Sequence, residues 1–191
     1  STDGMKTSVE TSQLLKFRAE NVVVRRLVEM EEAYKEKNFQ AFGKVCMQDS
    51  NQFHATCMDS YPPIFYLNDI SRSIIQAVHA YNRFKGKVKA CYTFDAGPNA
   101  VIFSEEEDLV ELLRVLTEVF PLPEGVPLCT NQSLAERANR FELDDTVRKA
   151  IFSAICETKV GDVQMIYATS VGDGPRMLRN GECLLDLRSG V

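Results

Sequence analysis

Hydrophobic positions in the first half of the chain recur at the three- and four-residue spacing of amphipathic helices. Three stretches follow this pattern, at residues 9–37, 38–60 and 67–84. Thr11 or Ser12 offers a hydroxyl that could cap the first helix. Tyr61-Pro62-Pro63 ends the second because proline lacks an amide donor, and Gly86 ends the third. The pattern predicts that the first half is helical.

The pattern changes after Gly86. Residues 88–94 and 100–103 are rich in β-branched and aromatic side chains and flank a short turn, which predicts a hairpin. The second half continues with a helix after Ser104 that ends at Pro121, a weaker helical signal at 133–154 interrupted near Leu143, and an alternating strand at 163–170 that pairs back with 176–178. Helices in one block and hairpin strands in another indicate a single α+β domain, an antiparallel sheet covered by helices.

Charge and composition exclude several classes of protein. The chain has 22 Lys+Arg against 27 Asp+Glu and a net charge of −5, with no block of like charges that would bind nucleic acid or an anionic membrane. No apolar run is long enough to span a bilayer, and the N-terminus lacks the build of a signal peptide. We expect a cytoplasmic protein whose partners are small molecules.

The six cysteines are widely and irregularly spaced, with no CxxC pair. This spacing favours buried, reduced thiols over a zinc site or a disulfide framework, and no carboxylate spacing marks a metal site. The chain begins at Ser1 without an initiator methionine. Either cellular trimming or the loss of an upstream half would explain that start.

The segment Tyr92-Thr93-Phe94-Asp95-Ala96-Gly97-Pro98-Asn99 is the most informative for function. It places the carboxylate of Asp95 at the end of an apolar strand, beside a turn of small residues that a ligand could approach. Such a carboxylate could accept a proton from a substrate hydroxyl or stabilise developing positive charge. Alternatively, Asp95 only hydrogen-bonds the amides of its own turn.

Two further segments carry weaker signals. Residues 1–8 are rich in hydroxyls and precede the first helix, so they either bind an anion or only cap and connect. His54 and Cys57 share a helix face and could form a catalytic pair, although local packing is the favoured interpretation for both and for His79. The chain contains no glycine-rich phosphate-binding loop of either common type. Any phosphate-binding loop must therefore come from elsewhere.

Three segments closely resemble the C-terminal half of the mevalonate diphosphate decarboxylase family, a branch of the GHMP kinase superfamily. They are residues 49–57 (DSNQFHATC), residues 61–68 (YPPIFYLN) and, above all, residues 93–101 (TFDAGPNAV). The opening Ser1-Thr2-Asp3-Gly4-Met5 is similar to the segment before a long helix in the same family. The resemblance implies an α+β lobe that spans 1–191 and lacks its N-terminal ATP-binding lobe.

The resemblance also implies a reaction and a site. The family phosphorylates the 3-hydroxyl of mevalonate 5-diphosphate with ATP and Mg²⁺, then releases phosphate and carbon dioxide to give isopentenyl diphosphate. By position, Asp95 matches the catalytic aspartate, Ser1 and Thr2 match hydroxyls that contact the diphosphate, and Met5 matches a residue that lines the substrate. The implied partners are the N-terminal half and a second copy in a homodimer.

Because the phosphate-binding half is missing, we expect that this chain alone is inactive. Two alternatives stay open. One is a stand-alone, non-catalytic binding module, and the other is the C-terminal lobe of a different GHMP small-molecule kinase.

Overall fold

The structure is a computed structural model that describes residues 2–177. Its helices are α1 (Thr2–Thr11), α2 (Gln13–Phe17), α3 (Val23–Lys35), α4 (Phe39–Met58), α5 (Asp69–Lys85), α6 (Leu109–Val119), α7 (Gln132–Arg140) and α8 (Asp145–Phe152). A π-helical turn at Arg18–Val22 joins α2 to α3, and a 3-10 turn at Glu106–Asp108 precedes α6. The strands are β1 (Ala90–Thr93) and β2 (Val101–Ser104).

The first segment differs from the single helix predicted over 9–37. Ser12 has an extended backbone with φ −78° and ψ 118°, which separates α1 from α2, and its hydroxyl caps α2 by accepting from Leu15 N. The hydroxyl-rich opening is itself helical. The Thr7 and Thr11 hydroxyls donate to carbonyls one turn back, at 2.9 and 2.7 Å, and the Thr11 hydroxyl also accepts from Tyr61 N at 2.8 Å. The alternative in which residues 1–8 only cap and connect is therefore wrong for residues 2–8, which are helical.

Capping explains the bounds of α4 and α5, which confirm the predicted helices. The side chain of Asn38 accepts from Ala41 N at the start of α4. Asn68 and Ser71 form a reciprocal capping box at the start of α5. Gly86 ends α5 in the left-handed conformation, with φ 68°, which glycine adopts without the steric penalty of a Cβ.

The predicted hairpin is confirmed as an antiparallel pair in which Ala90 faces Ser104 and Thr93 faces Val101. The buried core lies between this hairpin and the helices α4, α5, α6 and α8. Its fully buried large side chains include Tyr81, Tyr92, Phe120 and Ile151. The arrangement is an α+β fold with a small antiparallel sheet covered by helices.

The predicted strand at 163–170 is wrong, as is its pairing with 176–177, while Leu178 lies outside the described residues. The segment is joined to the loop before α7 by two hydrogen bonds, from Thr130 N to the Ile166 carbonyl and from Ala168 N to the Thr130 hydroxyl, each 3.0 Å. Alternating residues form a strand only when a neighbour offers a ladder of backbone partners. Here Thr130 alone makes both bonds.

The cysteines follow the expectation with one exception. Cys57, Cys91 and Cys129 are buried and Cys46 is half-buried, all as free thiols, but Cys156 is exposed. Cys183 lies outside the described residues. Within residues 2–177, none of the helices combines the length and apolar character that crossing a bilayer requires.

Candidate functional site

The site is organised by the parallel alignment of α4 with the segment 88–94. Near the start of α4, the Gln40 amide donates to the Val88 carbonyl at 2.6 Å and accepts from Val88 N at 2.8 Å. Further along, the Cys46 thiol contacts the Tyr92 carbonyl at 3.6 Å, and the Ser50 hydroxyl accepts from Phe94 N at 3.0 Å. One helix therefore holds the segment 88–94 from Val88 to Phe94, the residue before Asp95.

Asp95 follows the buried Phe94 and is itself exposed. Within residues 2–177, its carboxylate accepts no hydrogen bond from the turn amides or from any side chain. The alternative that Asp95 only hydrogen-bonds the amides of its own turn is therefore not supported. The far side of the turn is also fixed, because the Ser71 hydroxyl of α5 donates to the Pro98 carbonyl at 2.9 Å. The result is a solvent-facing carboxylate on a turn whose two sides are held by different helices.

His54 lies one helical turn after Ser50 and is 7% exposed. Its Nε2 is 3.3 Å from the Phe94 carbonyl, and because a carbonyl oxygen only accepts, Nε2 carries the proton. Burial holds the pKa of His54 below its ordinary value, while the bond to Phe94 and the charge of Asp95 act in the opposite direction. His54 is therefore a neutral donor beside Asp95, whereas burial raises the pKa of the Cys57 thiol and leaves it a poor nucleophile.

Two arginines that sequence reasoning missed converge on α4. Arg18 and Arg26 place guanidinium nitrogens 2.7 and 3.0 Å from the Asp49 carboxylate, and both also contact the Gln52 amide oxygen at 2.8 Å. Burial acts to raise the pKa of Asp49, but the hydrogen bonds from the two arginines outweigh it and hold that pKa below its ordinary value. Residues eight apart in a regular α-helix differ by about 80° around its axis, so the spacing of the arginines gave no clear signal that they would converge.

The residues matched to substrate binding lie on α1. Thr2 is exposed and Met5 is 70% exposed, while Ser1 lies outside the described residues. Helix α1 is attached to the residues just after α4 through the hydroxyls of Ser8 and Ser60, which are 2.8 Å apart. Asp95 therefore follows a residue held by the second half of α4, whereas α1 is attached just beyond the end of that helix.

His79 has the structural role that the sequence favoured. The Tyr92 hydroxyl donates its one proton to Asn51 Oδ1 at 2.9 Å, so His79 Nε2 donates to the same hydroxyl oxygen at 3.1 Å. Burial lowers the pKa of His79, as does the nearby charge of Arg83. This network ties α5, β1 and α4 together beneath the site.

A possible cation site in the described part of the chain is formed by Glu105, Glu107 and Asp108. Lys89 already occupies it, with its Nζ 2.8 Å from Glu107 and 2.7 Å from Asp108. The cluster follows Ser104, which pairs with the first residue of β1, so it lies at the opposite end of the hairpin from Asp95. Within residues 2–177, the carboxylate cluster that could hold a cation therefore does not lie beside Asp95.

Comparison with known proteins gives one consistent result. Residues 1–178 match the family model described as the mevalonate 5-diphosphate decarboxylase C-terminal domain. The diphosphomevalonate decarboxylase of Rattus norvegicus is 47% identical over 180 residues, which cover 93% of this chain and 43% of the relative.

Solved structures agree. The mevalonate diphosphate decarboxylase from Trypanosoma brucei is 31% identical with a TM-score of 0.86, covering 97% of this chain and 48% of that protein. A second, described as MDDEF in complex with MVAPP, AMPPCP and magnesium, is 32% identical with a TM-score of 0.57, covering 63% of this chain and 36% of its own. The chain thus spans less than half the length of the relatives that it matches. It belongs to the family of mevalonate 5-diphosphate decarboxylase C-terminal domains.

Proposed function

We propose that this chain is the C-terminal lobe of an enzyme that converts mevalonate 5-diphosphate to isopentenyl diphosphate with ATP and Mg²⁺. The observation that carries the proposal is the Asp95 carboxylate, which is exposed and accepts no hydrogen bond within residues 2–177, on a turn fixed by α4 and α5. A carboxylate kept free on a fixed turn is suited to a ligand and not to its own backbone. The names of the related proteins supply the substrate class.

Asp95 acts on the 3-hydroxyl of the substrate. Its carboxylate orients that hydroxyl and accepts its proton as the oxygen is phosphorylated. Once that proton has passed to solvent, the carboxylate is negative again, and its charge stabilises the electron-poor carbon that forms as phosphate leaves. Asp95 faces solvent, so a substrate can reach it without any rearrangement of the buried core.

The first turn of α1 contributes the substrate-binding residues. Thr2 and Met5 are exposed there, and the N-terminus of a ten-residue helix favours the negative charge of a diphosphate. Ser1, next in the chain, is assigned to the same role on the resemblance alone. The threonines at 7 and 11 take no part, because their hydroxyls donate within α1.

ATP and magnesium bind mainly to an N-terminal lobe outside this chain. Two observations support this assignment: the sequence has no phosphate-binding loop, and the carboxylates of Glu107 and Asp108 are paired with Lys89. A related structure is described as holding AMPPCP and magnesium. Without such a lobe the transferred phosphoryl group lacks charge neutralisation, so the chain alone is inactive. A homodimer and a cytoplasmic location are further proposals. The homodimer rests on the resemblance, and the cytoplasmic location rests on the features of the sequence described above.

The test is turnover by the two-lobe polypeptide, in which this chain follows an N-terminal lobe. Asp95→Asn keeps the size of the side chain and removes its charge, and we expect ATP-dependent release of carbon dioxide to fall by at least about 10²-fold. Asp173→Asn, at an exposed position outside the helices and strands, is the matched control and should keep normal turnover. Normal turnover by Asp95→Asn would remove Asp95 from catalysis.

The same assay on this chain alone separates the remaining alternatives. Carbon dioxide release without the N-terminal lobe would contradict the division of labour proposed here. Binding of mevalonate 5-diphosphate by this chain, together with a two-lobe polypeptide that does not turn over, would favour a non-catalytic binding module.

A further inference from the structure

We propose that Ser50 and His54 are positioning residues that set the orientation of Asp95 by holding both backbone polar groups of Phe94. This inference rests on the proposed role of Asp95 and adds two residues to the site.

The geometry of the contact is specific. Ser50 Oγ accepts the Phe94 amide proton at 3.0 Å, and His54 Nε2 donates to the Phe94 carbonyl at 3.3 Å. Ser50 and His54 are four residues apart on α4, so their side chains lie one above the other on the same helix face. The peptide plane between Phe94 and Asp95 contains that carbonyl together with the N and Cα of Asp95, so its orientation fixes the point from which the Asp95 side chain leaves the backbone.

Burial makes these two bonds obligatory. Ser50 is 4% exposed and Phe94 is 3% exposed, so water cannot readily replace either partner. Phe94 follows the last residue of β1, and thus lies beyond the backbone pairing with β2. The packing of the ring of His54 against that of Phe94, with centroids 6.3 Å apart, further restricts the histidine.

A matched contact at the other end of the segment 88–94 shows what a structural role alone would look like. Gln40, also on α4, donates to and accepts from the backbone of Val88, as Ser50 and His54 together do for Phe94. Gln40 is exposed, and Val88 is six residues before Phe94. Loss of either contact removes two hydrogen bonds between α4 and the segment 88–94. Only the contact at Phe94 adjoins the carboxylate of Asp95.

The experiment uses side-chain pairs of matched size in the two-lobe polypeptide. Ser50→Val removes the hydroxyl, while Ser50→Thr retains it at the same volume. His54→Leu removes the donor, and His54→Gln retains an amide nitrogen near the position of Nε2. Gln40→Leu is the structural control, and circular dichroism with a thermal melt identifies variants that fold.

A misplacement of Asp95 should lower kcat and leave substrate binding nearly intact. We expect kcat to fall by about 10- to 100-fold in Ser50→Val and His54→Leu, with KM for mevalonate 5-diphosphate changed by less than about 3-fold. Ser50→Thr and His54→Gln should recover most of the loss. Gln40→Leu should melt at a lower temperature and retain its kcat.

Three results would overturn the inference. In the first, Ser50→Val and His54→Leu lose no more kcat than Gln40→Leu while Asp95→Asn is inactive, which rejects the positioning role and keeps the proposed function. In the second, the hydroxyl and amide variants fail to recover kcat. In the third, Asp95→Asn turns over normally, and then the proposed role of Asp95 and this inference fail together.

Discussion

Helices α3 and α5 have the same kind of amphipathic sequence but opposite surroundings. On α5, Val78 and Tyr81 are each 1% exposed, because the apolar face packs against the hairpin and α8. On α3, Val24 and Leu27 are 66% and 59% exposed. Hydrophobic spacing therefore predicts that a helix forms, but it does not say whether the partner that covers the apolar face lies in the same chain.

The attachment of α1–α3 is correspondingly polar. Ser12 donates to the Asp59 carboxylate at 2.8 Å, and Arg18 and Arg26 bond Asp49. The exposed apolar side chains in this part of the chain are Met5, Val9, Leu14, Phe17, Val24, Leu27, Val28 and Tyr34. An exposed apolar face of this extent is typical of an interaction surface, which fits the proposed N-terminal lobe.

The packed region is the buried core between the hairpin and the helices α4, α5, α6 and α8. Removing a large side chain from it should have the largest effect on stability. Phe120 is 2% exposed in the core, and Phe120→Ala should lower the free energy of unfolding by about 3–5 kcal/mol, because it loses burial and leaves a cavity. Urea denaturation of this chain measures the change. A loss below about 1 kcal/mol would mean that the packed region is looser than its burial indicates.

Adding a methyl group between α4 and β1 should have a smaller effect. A Cβ at Gly43 would lie 2.8 Å from Val88 Cγ1 and 3.1 Å from Cys91 Cβ. Overpacking of this kind costs about 1–3 kcal/mol, more than the roughly 1 kcal/mol that alanine gains in helix propensity. Gly43→Ala should therefore destabilise the chain, while Lys44→Ala at the exposed neighbouring position should not. A more stable Gly43→Ala would contradict the close approach of α4 to β1.

Both histidines lie in the packed region, so mild acid should weaken it. Burial lowers the pKa of His54 and His79, and the unfolded chain therefore binds protons more readily than the folded chain. Their stabilising contribution is complete above an unfolded pKa of about 6.5 and decreases as the pH falls from there toward the folded pKa values. Chemical denaturation at a series of pH values should show this decrease, and His54→Gln should reduce it. Unchanged stability across that window would contradict the buried, neutral state of the histidines.

The sequence could predict those parts of the structure that depend on neighbouring residues, and not those that depend on distant ones. The bounds of α4 and α5 follow from local signals, since Asn38, Asn68 and Gly86 act within one helical turn. The hairpin is similarly local. Other features depend on distant residues. Ser12 breaks the first helix while it bonds Asp59, and the alternating segment at 163–170 hydrogen-bonds Thr130 and packs Ile166 and Ala168 against a buried cluster instead of pairing as a strand.

The candidate site likewise has one part that depends on neighbouring residues and another that depends on distant ones. The position of Asp95 at the end of β1 follows from the sequence, because an apolar strand and a turn of small residues are adjacent in the chain. The bonds from Ser50 and His54 to Phe94 span about forty residues. No local pattern encodes them, and they depend on the alignment of α4 with β1.

A substitution on the exposed apolar surface of α1–α3 should give the smallest change in the free energy of unfolding of this chain. The change should be larger when the N-terminal lobe is present. Phe17 is 59% exposed, and serine has a similar helix propensity, so Phe17→Ser should alter the free energy of unfolding of this chain by less than about 0.5 kcal/mol. In the two-lobe polypeptide, burial of the same ring would make the substitution cost about 1.5–3 kcal/mol. Lys16→Ser, at the neighbouring exposed position, is the control and should be nearly neutral in both proteins. Equal, small effects of Phe17→Ser in both would mean that the N-terminal lobe does not cover this face, and the surface would then need a different partner.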